Sequence, residues 1–248
     1  MRSLRGPVIP SQALFHRAQR DMKIQTRYTD MNEIYQQAID KYTHYASAED
    51  LKEAVRLFEQ SGEAGAEKYV RKCNTLIEYM VGNTVTFGSY QNKPIRWKVL
   101  DERGRMRMLF AESPVACRPY HDTPTDTSWQ ACSLRKWLNG EFLEAAFTPE
   151  ERSKITAVRV ENPRSPKYYT NGGLNTMDRA YVLSVPEAEK YLPDEADRAL
   201  GGWWWLRTPG SNLFSAVAVY DDGSLYEFGI HVHYENGGVR PVVWVLLK

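Results

Sequence analysis

The sequence predicts an α+β protein in two parts, a small helical domain over residues 11–82 and a strand-rich domain over 83–248, behind a disordered tail at 1–10. Two observations carry this. Apolar residues recur every three to four positions up to about residue 80 and every two thereafter, the periods of a helix face and of a strand face. Glycine, proline and asparagine then cut the second region into many short runs, which fits antiparallel strands with short inserted helices.

In the first region Ile34, Tyr35, Ala38, Ile39 and Tyr42 share one helix face within Met31–Tyr42. Ser47 is a candidate N-cap for a second helix with the stripe Leu51, Ala54, Val55, Leu57 and Phe58, ended by Gly62. A third helix runs from about Gly65 through Tyr69, Val70, Cys73, Leu76, Ile77 and Met80 to near Gly82. In the second region Thr84–Phe87 alternates, and Ile95–Leu100 and Met106–Phe110 flank Arg103-Gly104-Arg105 as a hairpin. A short helix is expected from Ser133 through Phe142 and Leu143 to Phe147, and another at Thr148-Pro149. Residues 161–177 are loop by composition; Tyr181–Ser184 reads as strand and Pro186–Tyr191 as helix. Strands are expected at Ala216–Tyr220, Leu225–His233 and Val242–Leu247, joined by turns at Asp221-Asp222-Gly223 and Asn236–Gly238.

Composition narrows the function. The chain of 248 residues has 32 basic and 31 acidic side chains, evenly divided about residue 80 (12 against 11 before, 20 against 20 after). Neither half has the basic excess that nucleic acid requires, so that partner is not expected. No apolar run approaches membrane-spanning length and no signal-peptide core follows Met1, so no membrane insertion and a cytoplasmic location are expected, with virion or surface display left open. Cys73, Cys117 and Cys132 are odd in number without CxxC spacing, which favours buried free thiols over a disulfide or zinc framework.

The segment Gly201–Pro241 stands apart. It opens on Trp203-Trp204-Trp205-Leu206-Arg207 and closes on Gly237-Gly238-Val239-Arg240-Pro241, with a varied run of side chains between. Trp204, Trp205, Arg207, Gly238 and Arg240 read as structural framework, since arginine among tryptophans can stack on a ring while bonding loop carbonyls. Between them Leu213, Phe214, Ser215, Tyr220, Tyr226, Phe228, Ile230, His231, His233, Tyr234 and Glu235 are candidate ligand-binding residues. Large rings beside turns serve either core packing or a contact surface, and the spacing alone leaves both open.

The blocks Ile95–Asp101, Cys117-Arg118-Pro119-Tyr120, Trp129–Asn139, Trp204–Gly210 and Gly238–Pro241 resemble, in order, an uncharacterised bacterial domain family of the C-type-lectin-like type, common in gut anaerobes. The resemblance implies a C-type-lectin-like fold, also the fold of formylglycine-generating enzymes. It is similar to the scaffold of variable proteins of diversity-generating retroelements, in which adenine-directed mutagenesis rewrites AAC and AAT codons near the C-terminus. Such codons cannot yield Lys, Gln, Met, Trp or Glu. Residues 1–210 hold 11 Lys, 8 Gln, 7 Met and 6 Trp, while Ser211–Gly238 holds none of these four types. At the first frequency about four are expected there, although strands and turns disfavour some of them for ordinary reasons. Glu227 and Glu235 lie outside the set that such codons encode. Separately, residues 48–76 resemble a degenerate helical-hairpin repeat, which implies a cap on the next domain or an element for partner docking or self-association.

Other chemistries have less behind them. His231 and His233 lack a nearby third histidine for a metal, with only Asp221, Asp222 and Glu235 as conceivable partners. His121-Asp122 near Cys117 is the one drawable nucleophile–base set. The expected function is therefore recognition of an unknown protein ligand on a diversified surface, with no catalysis, metal or cofactor. The alternatives are a formylglycine-generating-type enzyme relative and a fixed-specificity lectin-like or structural interaction module.

Overall fold

The structure, a computed structural model, describes residues 11–247, so the tail expected at 1–10 lies outside the described residues. The chain is mixed α and β and divides between Ile77 and Glu78 into two compact units.

The first unit contains α1 (Ser11–Thr43), α2 (Ala48–Ser61) and most of α3 (Ala66–Glu78). Ser47 caps α2 with a reciprocal box: its side chain accepts from the Asp50 amide, and the Asp50 carboxylate accepts from the Ser47 amide. Hydrogen bonds from the Ala46 amide first, then from the Ser47 hydroxyl and Lys41, hold the Asp50 carboxyl down at about 2. Gly62, left-handed at φ 61°, ends the helix. The stripe closes on buried Ala38, Leu51, Ala54, Phe58 and Cys73, with Tyr69 stacked on Phe58 at 5.1 Å and Tyr35 edge-on to it at 5.5 Å. Burial pushes the Cys73 thiol up to about 11.

In the second unit residues 79–83 form a turn tied to the strands, with Arg107 donating to the Tyr79 carbonyl (2.9 Å) and the Gly82 amide to the Val99 carbonyl (2.8 Å). One sheet contains β1 (Thr84–Tyr90), β2 (Lys93–Arg103) and β3 (Met106–Ala111), joined by β13 (Val242–Leu246) and β5 (Ile155–Thr156), with β8 (Ala180–Tyr181) also on β13. The second sheet runs in the order β11 (Leu225–His231), β10 (Ser215–Val219), β9 (Trp204–Pro209), β12 (Gly238–Val239) and β4 (Ala116–Cys117). A pair of short strands, β6 (Val158–Val160) and β7 (Thr176–Asp178), stands alone. All pairings are antiparallel except β12 with β9.

Short helices fill the connections: α4 (Ser133–Trp137), a π-helical turn at Leu138–Phe142, α5 (Leu143–Ala146), α6 (Pro149–Lys154), α7 (Val185–Tyr191) and α8 (Glu195–Arg198). The strand expected at Tyr181–Ser184 stops at Tyr181, since Ser184 is committed to capping α7 through a box with Glu187. Among the described residues no helix is long and apolar enough to cross a membrane.

The chain passes between the two sheets four times, and two of these passages lie together. One runs from the end of β3 to β4, the other from β12 to β13 through Arg240-Pro241. The two crossings run side by side, with the Val115 amide donating to Val239 and the Ala111 amide to Pro241, both at 2.9 Å. That crossing is the floor under the C-terminal segment.

Candidate functional site

The framework residues occupy the interior. Arg240 is buried at the crossing, donating to the carbonyls of Ala111 and Glu112 (3.0 Å each) with its guanidinium over the rings of Phe110 (4.1 Å) and Trp204 (4.7 Å). Burial lowers its pKa to about 10, which leaves it charged at neutral pH. Two carbonyls and two π faces compensate that buried charge, so the residue stitches sheet to sheet. Arg207 on β9 makes the matching link on the other side. Its guanidinium donates to the carbonyls of Val182 (2.8 Å) and Glu161 (2.8 Å) and to the Glu187 carboxylate, above the Tyr181 ring.

The tryptophans are equally fixed. Trp204 donates to the Arg198 carbonyl (3.1 Å) and Trp205 to the Arg118 carbonyl (2.9 Å), and both are fully buried. Gly238 sits on this floor, its amide donating to Trp203 (3.0 Å) beside Trp204.

Above this floor, β9, β10 and β11 form a meander whose middle strand is buried throughout and whose outer strand, β11, ends the sheet. The register slips around Val217: Ala216 pairs with Ile230 and Pro209, whereas Ala218 pairs with Tyr226 and Trp205. Both neighbours of β10 therefore bulge at the same level. There Gly210 and Gly229 pass each other across the end of β10. A Cβ on Gly229 (φ 89°) would lie 2.9 Å from the Gly210 Cα, and one on Gly210 would run into the Phe228 carbonyl and the Ser215 hydroxyl. Only glycine fits at this approach. The strict alternation expected through Leu225–His233 is thus broken, and the strand stops at His231.

The candidate binding residues collect into two ring clusters on β11 and its flanking turns. In the first, Tyr220 stacks on Tyr226 (centroids 4.8 Å, planes 20° apart), and Tyr226 lies 6.3 Å from Phe228. Burial first, then the neighbouring Tyr226, raises the Tyr220 pKa. Phe228, 54% exposed, meets Tyr168 edge-on at 6.0 Å. In the second cluster Phe214 packs on His231 (5.0 Å) and His233 (5.6 Å), and Tyr234 lies against both histidines (5.5 and 5.3 Å). Buried Val232 anchors this turn through its amide to Phe214 and its carbonyl to the His121 amide. Leu213 and Ile230 are half-buried, while His231, Tyr234 and Glu235 are exposed.

Ser215 is a correction. It is buried, and its hydroxyl donates to the carbonyls of Asn212 and Phe228, so it supports the Gly210–Gly229 approach and has no free face for a ligand. Tyr168 enters from the loop at 161–177, where composition gave no sign of it; the adjacent Lys167 reaches Glu227 at 3.8 Å. Arg198 was also invisible in sequence. It is buried and holds the β10–β11 turn by donating to the Gly223 carbonyl (2.8 Å).

The expected buried thiols separate: Cys132 is buried and pushed up to about 12 by desolvation, whereas Cys117 is exposed on the short edge strand β4. His121 does not face Cys117 as a base would; its Nδ1 lies 3.0 Å from the Ser133 hydroxyl and accepts the Ser133 amide at 3.2 Å. Among the described residues no three His, Cys, Asp or Glu side chains are grouped to hold a metal ion. What the arrangement offers is a display of rings on rigid backbone.

The family described as Domain of unknown function (DUF6273) matches residues 104–247, more than half of the chain. The chain belongs to this family. The DUF6273 match spans β3 to β13, and so contains the sheet crossings, the framework and both ring clusters. No curated protein and no solved structure matches the chain.

Proposed function

We propose that the protein binds a protein ligand through the ring clusters of residues 213–235, on a C-type-lectin-like scaffold, as the variable protein of a diversity-generating retroelement. The observation that carries the binding reading is the separation of roles within one short segment. Buried Trp204, Trp205, Arg207 and Arg240 each donate to backbone carbonyls of the frame, while Phe214, Tyr220, Tyr226, Phe228, His231 and Tyr234 hold half-buried or exposed positions on strand and turn backbone. Tyrosine, phenylalanine and histidine rings give large contact area at small entropic cost, as in paratopes. Side chains so placed can change without disturbing what lies beneath.

Diversification rests on the sequence of the same segment, where the residue types that adenine-randomised AAC and AAT codons cannot encode are absent apart from Glu227 and Glu235. Half-buried Glu227 is held near Lys167, and such a position would be inherited and not rewritten. Sequencing the coding region from many cells of one population tests this. Variation should concentrate in codons 213–236, spare Glu227, Glu235 and the framework, and match a nearby template repeat with a reverse-transcriptase gene. Variation spread evenly, or none with no template, refutes the diversification.

A further inference from the structure

The longest helix carries a second surface. From residue 15 to residue 30 every side chain of α1 is exposed, and burial begins only at Met31, where the helix meets the rest of its unit. Those sixteen residues extend for about 24 Å at the rise of an α-helix. A free helix of this length is marginal in water, because nucleation is costly and nothing packs on its apolar side chains. Phe15, Met22, Ile24 and Tyr28 are each more than half exposed along it.

The arm is also charged in one sense. It carries Arg17, Arg20, Lys23 and Arg27 against Asp21 and Asp30, and among the described residues none of these six makes an ion pair. The opposite charge lies in the same unit. At the turn between α2 and α3, Glu59 and Glu63 likewise lack a cationic partner among the described residues. Glu63 lines a cavity of about 490 Å³ together with Ile24, Arg27, Tyr28 and Met31 of α1; Glu59 and Glu63 line one of about 400 Å³ with Phe58, Val70 and the paired Glu67 and Arg71. One chain thus presents an acidic apolar notch, walled on one side by Ile24, Arg27 and Tyr28 of its own arm, and ahead of them a basic run with Phe15 and Met22 as apolar anchors.

We propose that the arm, α1 residues 15–30, docks into the α2–α3 notch of a second copy of this chain, each copy giving its arm to the other. Basic residues at 17 and 20 meet Glu59 and Glu63, and Phe15 and Met22 cover apolar notch walls. The exchange is isologous, so it closes at two copies. It supplies the packing that a lone helical-hairpin unit lacks.

Sedimentation velocity on the full chain over a concentration series tests this. A dimer is expected, weakening with salt because the contacts are charged. Reversing the arm (Arg17→Glu, Arg20→Glu) or the notch (Glu59→Arg, Glu63→Arg) should each weaken dimerisation by roughly tenfold or more, and combining both sets should restore it. All four positions lie outside the core, and helical circular dichroism checks folding of each variant. A monomer at every concentration overturns the proposal, as does a dimer indifferent to both reversals. Loss in each single set without rescue in the combination overturns the proposed pairing.

Discussion

The buried frame and the exposed ring clusters lie within forty residues of each other yet are built on opposite principles. Trp204 and Arg240 are committed to the fold: indole and guanidinium donors reach backbone carbonyls, and the guanidinium covers two rings. Phe228 and Tyr234 lie against other rings at the rim and are about half exposed. A side chain of the first kind cannot change without unpairing buried groups, whereas one of the second kind can. That difference is what the proposed diversified surface requires.

The contrast can be broken or sharpened by substitution, reading the second unit alone. All seven tryptophans lie at or beyond residue 97, so their fluorescence reports only on that unit. Trp204→Ala should have the largest effect, about 3–5 kcal/mol, because it empties a fully buried site and strands the Arg198 carbonyl; urea unfolding measures it. Next, Gly229→Ala should cost about 1–3 kcal/mol, since φ is 89° and Gly210 blocks the new methyl group. Ser215→Ala, in the middle of the varied segment, should still cost about 1 kcal/mol by removing a buried hydroxyl bonded to two carbonyls. An effect near zero at Ser215 would move the boundary between frame and face.

The helical unit supplies a control. The Asp50 carboxyl is held down at about 2 by the Ala46 amide, the Ser47 hydroxyl and Lys41, so its contribution is complete above its ordinary value near 3.8 and lost as pH falls through about 2. Wild type and Asp50→Asn should therefore converge in helical circular dichroism melts below about pH 2, with the tryptophan signal unaffected by the substitution.

Much of this organisation was legible in the sequence where causes are local. Ser47 and Gly62 bound α2 because caps act within three residues, and Asp221-Asp222-Gly223 marks a turn by its own chemistry. What escaped is non-local. The two-residue strands β4 and β12 exist only because the sheet crossings bring Ala116 and Cys117 against Val239 and Gly238. The paired bulges depend on a close approach of Gly210 and Gly229, and without them Ser215 reads as one more surface serine. Tyr168 joins the ring row from a loop some sixty residues upstream of Phe228, through a contact that no spacing encodes.

The central claim is that the ring clusters are separable from the fold, and one measurement tests it most directly: the tryptophan-detected melting temperature of Tyr226→Ser, Phe228→Ser, Tyr234→Ser combined. With each exposed change costing about 0.5 kcal/mol or less, the midpoint should fall by no more than roughly 6 °C. A fall of about 15 °C or more would mean that these rings are core, and the face would not exist as an independent surface.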